Sequence, residues 1–74
     1  MIAKELNCFM NEVGAAYVYD EGSRGYTIER RIEMSPGFYR CRVYYAADMA
    51  GATKRFNQVK GTLAAMQTRR NKAR

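Results

Sequence analysis

Histidine and tryptophan are both missing from this 74-residue chain, proline occurs once and cysteine twice. Without histidine, the commonest general base and the commonest metal ligand are both gone. Structural zinc usually takes four Cys or His ligands, and Cys8 and Cys41 cannot supply them. Two cysteines on separate expected elements are also too few for a disulfide framework. Both are expected as small buried core residues. No nucleophile–base pair and no glycine-rich phosphate loop can be traced, so no catalytic residue, metal ligand or cofactor is expected. The chain reads as a non-enzyme. No run approaches the ~18 consecutive apolar residues of a membrane span. Glu5 and Asn7 break the N-terminal stretch that a secretory signal would keep apolar. A cytoplasmic location is expected.

One further absence is regional. Residues 54–74 contain no Asp or Glu, but they carry Lys54, Arg55, Lys60, Arg69, Arg70, Lys72 and Arg74, a balance of +7. Residues 1–53 hold six basic residues against seven acids, a balance of −1. The net charge of +6 is therefore a property of the C-terminal end. Such asymmetry points to a polyanionic partner more strongly than net charge alone.

The chain is short for one domain, and its core is correspondingly small. Its apolar fraction of 47% is ordinary for a folded protein. A single domain over residues 1–70 with a frayed basic tail at 71–74 is expected. Ile2, Leu6, Phe9 and Val13 fall on one helical stripe, which predicts an amphipathic helix over 2–14 stopped by Gly14. Residues 15–20, 26–34 and 38–47 are rich in strand formers, the first being the least distinct from its neighbours. Residues 21–25 read as a turn, and so does Ser35-Pro36-Gly37-Phe38, with Pro and Gly suited to type II. Residues 48–53 read as a loop with an N-cap at Thr53. A final helix over 54–70 follows, on the stripe Phe56, Val59, Leu63 and Met66. Gly61 within it suggests close approach of another backbone. The expected fold class is α+β: helix, two or three antiparallel strands, helix, with both helices on one sheet face.

A two-residue turn at Pro36-Gly37 predicts a register. Met34 faces Tyr39, Ile32 faces Cys41, Arg30 faces Val43 and Ile28 faces Tyr45, a largely apolar face for the helices. Arg30 is the misfit there and is expected to snorkel to the sheet edge. The other, solvent-facing side then pairs Glu33 with Arg40, Arg31 with Arg42 and Glu29 with Tyr44.

Two candidate surfaces emerge. The basic helix and tail, with Lys54, Arg55, Lys60, Arg69, Arg70 and Lys72, suit phosphate neutralisation. The open sheet face, with Arg31, Arg40, Arg42, Phe38 and Tyr44, suits base stacking or a protein interface. The charges on that face also read as a self-neutralised ladder of Glu29, Arg31, Glu33 and Arg42.

The stretch Gly37-Phe-Tyr-Arg-Cys-Arg-Val-Tyr-Tyr with Gly51-Ala-Thr-Lys-Arg-Phe56 resembles the arm-binding domain of tyrosine recombinases. That resemblance implies a three-stranded DNA-reading sheet and a packing helix. The element order resembles the double-stranded-RNA-binding fold, which implies phosphate contacts at Lys54, Arg55 and Lys60, although that family's Gly-Pro-His loop is missing. The order is also similar to that of HicA-type RNase toxins, whose histidine this chain lacks. A compact basic chain of this kind looks like a phage or mobile-element accessory protein. The leading expectation is a nucleic-acid-binding accessory protein with DNA or RNA as partner. The alternative is an interaction module, inhibitor or adaptor, whose open sheet face meets a host protein. A homodimer is compatible with both, and no membrane partner is expected.

Overall fold

A computed structural model describes residues 3–73. The protein is α+β, with a four-stranded antiparallel sheet in the simple order β1-β2-β3-β4 and one C-terminal helix. The strands are β1 (Lys4–Met10), β2 (Gly14–Asp20), β3 (Tyr26–Ser35) and β4 (Phe38–Ala46), followed by α1 (Met49–Lys72).

The expected N-terminal helix is instead the edge strand β1 and its turn. Short apolar segments satisfy helical and strand patterns alike, and tertiary pairing decides between them. Here β1 pairs along β2, with an irregularity between Glu5 and Asn7. Asn11 locks the turn that follows. Its Oδ1 accepts from the N–H groups of Val13 (2.9 Å) and Gly14 (3.1 Å), and its Nδ2 donates to the Leu63 carbonyl of α1 at 3.0 Å. Gly14 lies so close to β3 that a Cβ there would sit 1.9 Å from the Arg31 carbonyl oxygen. Ile2, the first residue of the expected apolar stripe, lies outside the described residues, as does Arg74.

The helix begins five residues earlier than its expected start. Asp48, not Thr53, is the N-cap, with its carboxylate accepting from the Gly51 N–H at 2.7 Å. Its 24 residues run on through Lys72, two residues past the expected end at residue 70. That gives a rod about 36 Å long. It lies across one sheet face. Val13, Ala16, Val18 and Ile28 meet Ala52, Phe56, Val59 and Leu63 in the core. The small side chain of Ala16, fully buried, lets the helix settle close to β2.

Two smaller expectations are corrected. Cys8 and Cys41 are both exposed, because each points to the face opposite the helix. Gly61 lies on the exposed side of α1, and a Cβ there would meet nothing within 4 Å, so it serves no close approach.

The largest correction concerns register. Ser35 pairs with Phe38 as a two-residue turn requires, but the register then shifts. Beyond Met34 the pairs are Glu33–Tyr39, Ile32–Arg40, Arg31–Cys41, Arg30–Arg42, Glu29–Val43 and Ile28–Tyr44. The turn chemistry explains this. Two-residue hairpins match the sheet twist through type I′ or II′ turns, which need positive φ at the first central residue. Proline forbids that. Gly37 has φ +83°, as a type II turn demands. The twist mismatch is absorbed by the irregularity at Met34, as a bulge does. One residue of slip turns every β4 side chain to the other face.

Candidate nucleic-acid interface

The slip relocates the arginine–aromatic cluster. Ile28 is buried against the helix and faces Tyr44, so Tyr44, Arg42 and Arg40 of β4 lie on the helix side of the sheet. They do not lie on the open face, where they had been expected. Arg30 of β3 joins them, directly opposite Arg42. Arg31 stays on the open face, ion-paired to Glu29 and stacked over the Tyr17 ring at 5.0 Å. The expected Arg31–Arg42 pair therefore does not exist, and neither does the charge ladder built on it.

Tyr44 organises its neighbours. The Arg55 guanidinium of α1 lies 4.5 Å from the Tyr44 ring centroid, and that of Arg42 lies 5.4 Å away. Cation–π attraction draws both guanidiniums to one half-buried ring. Tyr44 thus holds arginines and is not a free platform for stacking bases. Phe38, on the same face of β4 by strand alternation, is free for that role at 71% exposure.

Arg30 does not escape to the sheet edge. Its strand lies between β2 and β4, and its side chain is half buried. Its Nε is fully buried without a hydrogen-bond partner in the protein. A buried N–H of a charged group left unpaired costs free energy. Among the described residues, no acidic side chain is sent to this side by β3, β4 or α1. Arg30, Arg40, Arg42 and Arg55 therefore form a positive ridge along the β4 side of the helix, and the carboxylates nearest to it on this side, Asp20 and Asp48, lie at the Ala46 end of β4.

The remaining helix cations are dispersed. Residues seven apart share a helix side, which puts Arg69 on the flank that Arg55 presents to β4. Lys60 is on the other flank, 5.9 Å from the Phe56 ring centroid. Lys54 and Lys72 occupy the back of the rod, opposite the buried stripe, and are exposed. Arg70 reaches the β1–β2 turn and donates to the Glu12 carbonyl at 3.0 Å. Glu12 in turn donates its N–H to Gln67 Oε1 at 2.9 Å. The helix is thus basic all round, and only Arg55 and Arg69 extend the ridge.

Of the sequence-derived candidates, Arg40, Arg42, Tyr44 and Arg55 come together, with Arg69 further along the same flank. Arg31, Lys54, Lys60, Arg70 and Lys72 do not join them. Arg30 was missed as a site residue. Its signal was present in Pro36, whose turn preference implies the slip that sets Arg30 against Arg42.

Among the described residues, no group of His, Cys, Asp or Glu could hold a metal ion, and no helix is long and apolar enough to cross a membrane. The chain matches no family model, no curated protein and no solved structure.

Proposed function

We propose that this is a small non-enzymatic nucleic-acid-binding protein that grips the phosphate backbone along the ridge of Arg30, Arg40, Arg42 and Arg55. The observation that carries this reading is the direct opposition of Arg30 and Arg42 on the helix side of the sheet, with the Arg30 Nε buried and without a hydrogen-bond partner in the protein. Like charges facing each other across a strand pair are unfavourable unless something else compensates. A phosphate supplies both the missing counter-charge and acceptors for guanidinium N–H groups. Arg69 extends the same field along the helix, and Phe38 offers an apolar surface to a base.

Phosphate contacts make affinity fall with salt, with a log–log slope of about −0.9 per neutralised phosphate on duplex DNA. The test is fluorescence anisotropy with duplex DNA, single-stranded DNA and RNA at rising salt. Binding should be tightest at low salt, and Arg40→Gln with Arg42→Gln should flatten the slope by about 2. No binding to any of the three at low salt would refute the reading. The probe bound best identifies the natural class of partner. An accessory role beside a phage or mobile-element enzyme is consistent with so small a binding unit.

A further inference from the structure

We infer that the open face of the sheet docks a cationic protein segment, one that presents arginine or lysine side chains. This goes beyond the nucleic-acid reading and does not depend on it.

The sheet sorts charge between its two sides. On the helix side, β3 and β4 contribute Arg30, Arg40 and Arg42. On the open side the strands set Glu5, Glu29 and Glu33 against Arg31, and Glu21 and Arg24 stand together at its edge, a balance of −2 on a chain of net charge +6. Arg31 is already neutralised by its pairing with Glu29. The face is also aromatic. Tyr17 and Tyr19 stack with ring centroids 6.0 Å apart, and Tyr45 projects from β4 at 81% exposure. Exposed aromatic surface of this kind marks an interaction site.

Tyr19, Glu29, Thr27, Val43, Tyr45 and Arg24 line a shallow depression of about 440 Å³. Two carboxylates, Glu21 and Glu29, stand there against the Arg24 guanidinium. The Tyr19 hydroxyl titrates above the ordinary tyrosine value, first through desolvation and then through Glu29 and Glu5. Ring faces beside carboxylates attract cations twice over, through the quadrupole and through charge. The same charge argues against other occupants. A nucleic acid would meet Glu5 and Glu33. A second copy laid face to face would set acid against acid. A basic protein segment is complementary in both respects. Taken together with the nucleic-acid reading, this docking would make the protein a two-sided adaptor, with a polyanion on the helix side and a basic protein on the other.

The test uses the full chain and a capped decapeptide of alternating arginine and glycine, followed by amide NMR shifts. The net charge of the protein repels this peptide, so saturable binding reports the local face. Saturable shifts are expected at Tyr19, Thr27, Glu29, Val43 and Tyr45. Glu5→Gln with Glu29→Gln should weaken binding about tenfold, and Arg40→Gln with Arg42→Gln should not weaken it. Tyr45→Ala, at an exposed position, gives a second variant that should also weaken binding if the carboxylate pair fails to fold. Three outcomes overturn the inference. They are no saturable shifts at millimolar peptide, shifts confined to the helix side, or a face already covered by a second copy in sedimentation velocity. Any of these leaves the anisotropy result on the opposite face untouched.

Discussion

Arg30 on β3 and Arg42 on β4 are directly opposed on the side of the sheet that carries the helix. Neither finds a carboxylate there, and the Arg30 Nε is buried unpaired. The arrangement is unfavourable for the free protein, and the proposed phosphate contact would relieve it. Arg30→Met keeps the volume and removes the unpaired guanidinium. Such replacements are often neutral or stabilising. This variant is expected to gain about 1–2 kcal/mol in urea unfolding while losing nucleic-acid affinity. A loss of stability with unchanged affinity would place Arg30 in the framework alone.

Tyr44 is expected to act through the arginines it holds. Each exposed cation–π contact contributes about 0.5–1 kcal/mol, so losing two should weaken binding roughly five- to thirtyfold. Tyr44→Leu keeps an apolar side chain against the core and removes the ring face. Anisotropy on this variant should show weaker binding with the number of phosphate contacts, read from the salt slope, little changed. A flattened slope would mean that the arginines had left the interface altogether.

The two glycines Gly14 and Gly61 should respond in opposite ways. Gly61 has open space around it, and alanine is about 1 kcal/mol better than glycine inside a helix. Gly61→Ala should raise the Tm by about 4–8 °C in a domain of this size. At Gly14 a methyl group would meet the β3 backbone 1.9 Å away, and backbone cannot rotate aside. Gly14→Ala should lower the Tm and disturb amide shifts along the start of β2. Calorimetry on the pair decides both.

Tyr19 provides a pH readout of the open face. Desolvation, then Glu29 and Glu5, raises its folded-state pKa above 10.0. The unfolded chain therefore loses this proton first as pH rises. The contribution of Tyr19 is fully present below about pH 10 and is lost as pH climbs through the higher folded value. Absorbance at the phenolate band should reveal one tyrosine titrating late. Glu29→Gln should bring it earlier, and an unmoved titration would remove Glu29 as a source of the field.

Much of the architecture was legible in the sequence, for identifiable reasons. Strands at 26–34 and 38–47 announced themselves through β-branched and aromatic residues between turn residues, 15–20 was legible only as an optional third strand, and the helix stripe Phe56, Val59, Leu63 and Met66 announced itself through its spacing. The first segment did not, because Leu6, Phe9 and Val13 fit a helix stripe as well as a strand and turn. Only the free edge of β2 decides between them, and that is a property of the fold. Asp48 lies in the segment 48–53 that reads as a loop, and Thr53 at the end of that segment has the chemistry of a cap as well. The candidate site was half legible. Its arginines were found, but they were assigned to the wrong face, since one residue at Met34 inverts β4 and no composition reports a bulge. The link from Pro36 to that bulge is physical, and it can be tested.

Pro36 selects the register against an apolar competitor. Without the slip, Val43 and Tyr45 would face the helix and Arg40 and Arg42 would face away, a pairing with more hydrophobic burial on the core side. Proline excludes it by forbidding the positive φ that a matched two-residue turn needs. Pro36→Asn creates Asn-Gly, the preferred pair for a type I′ turn. The variant is expected to lose the irregularity at Met34 and to populate the alternative pairing of Ile28 with Tyr45. Cross-strand nuclear Overhauser contacts distinguish this from the native pairing of Ile28 with Tyr44. Nucleic-acid affinity should fall in proportion, because Arg40 and Arg42 leave the ridge with the slip. If the native contacts alone persist, the register is held by the junction of β4 with α1, where Asp48 caps the helix, and not by the turn.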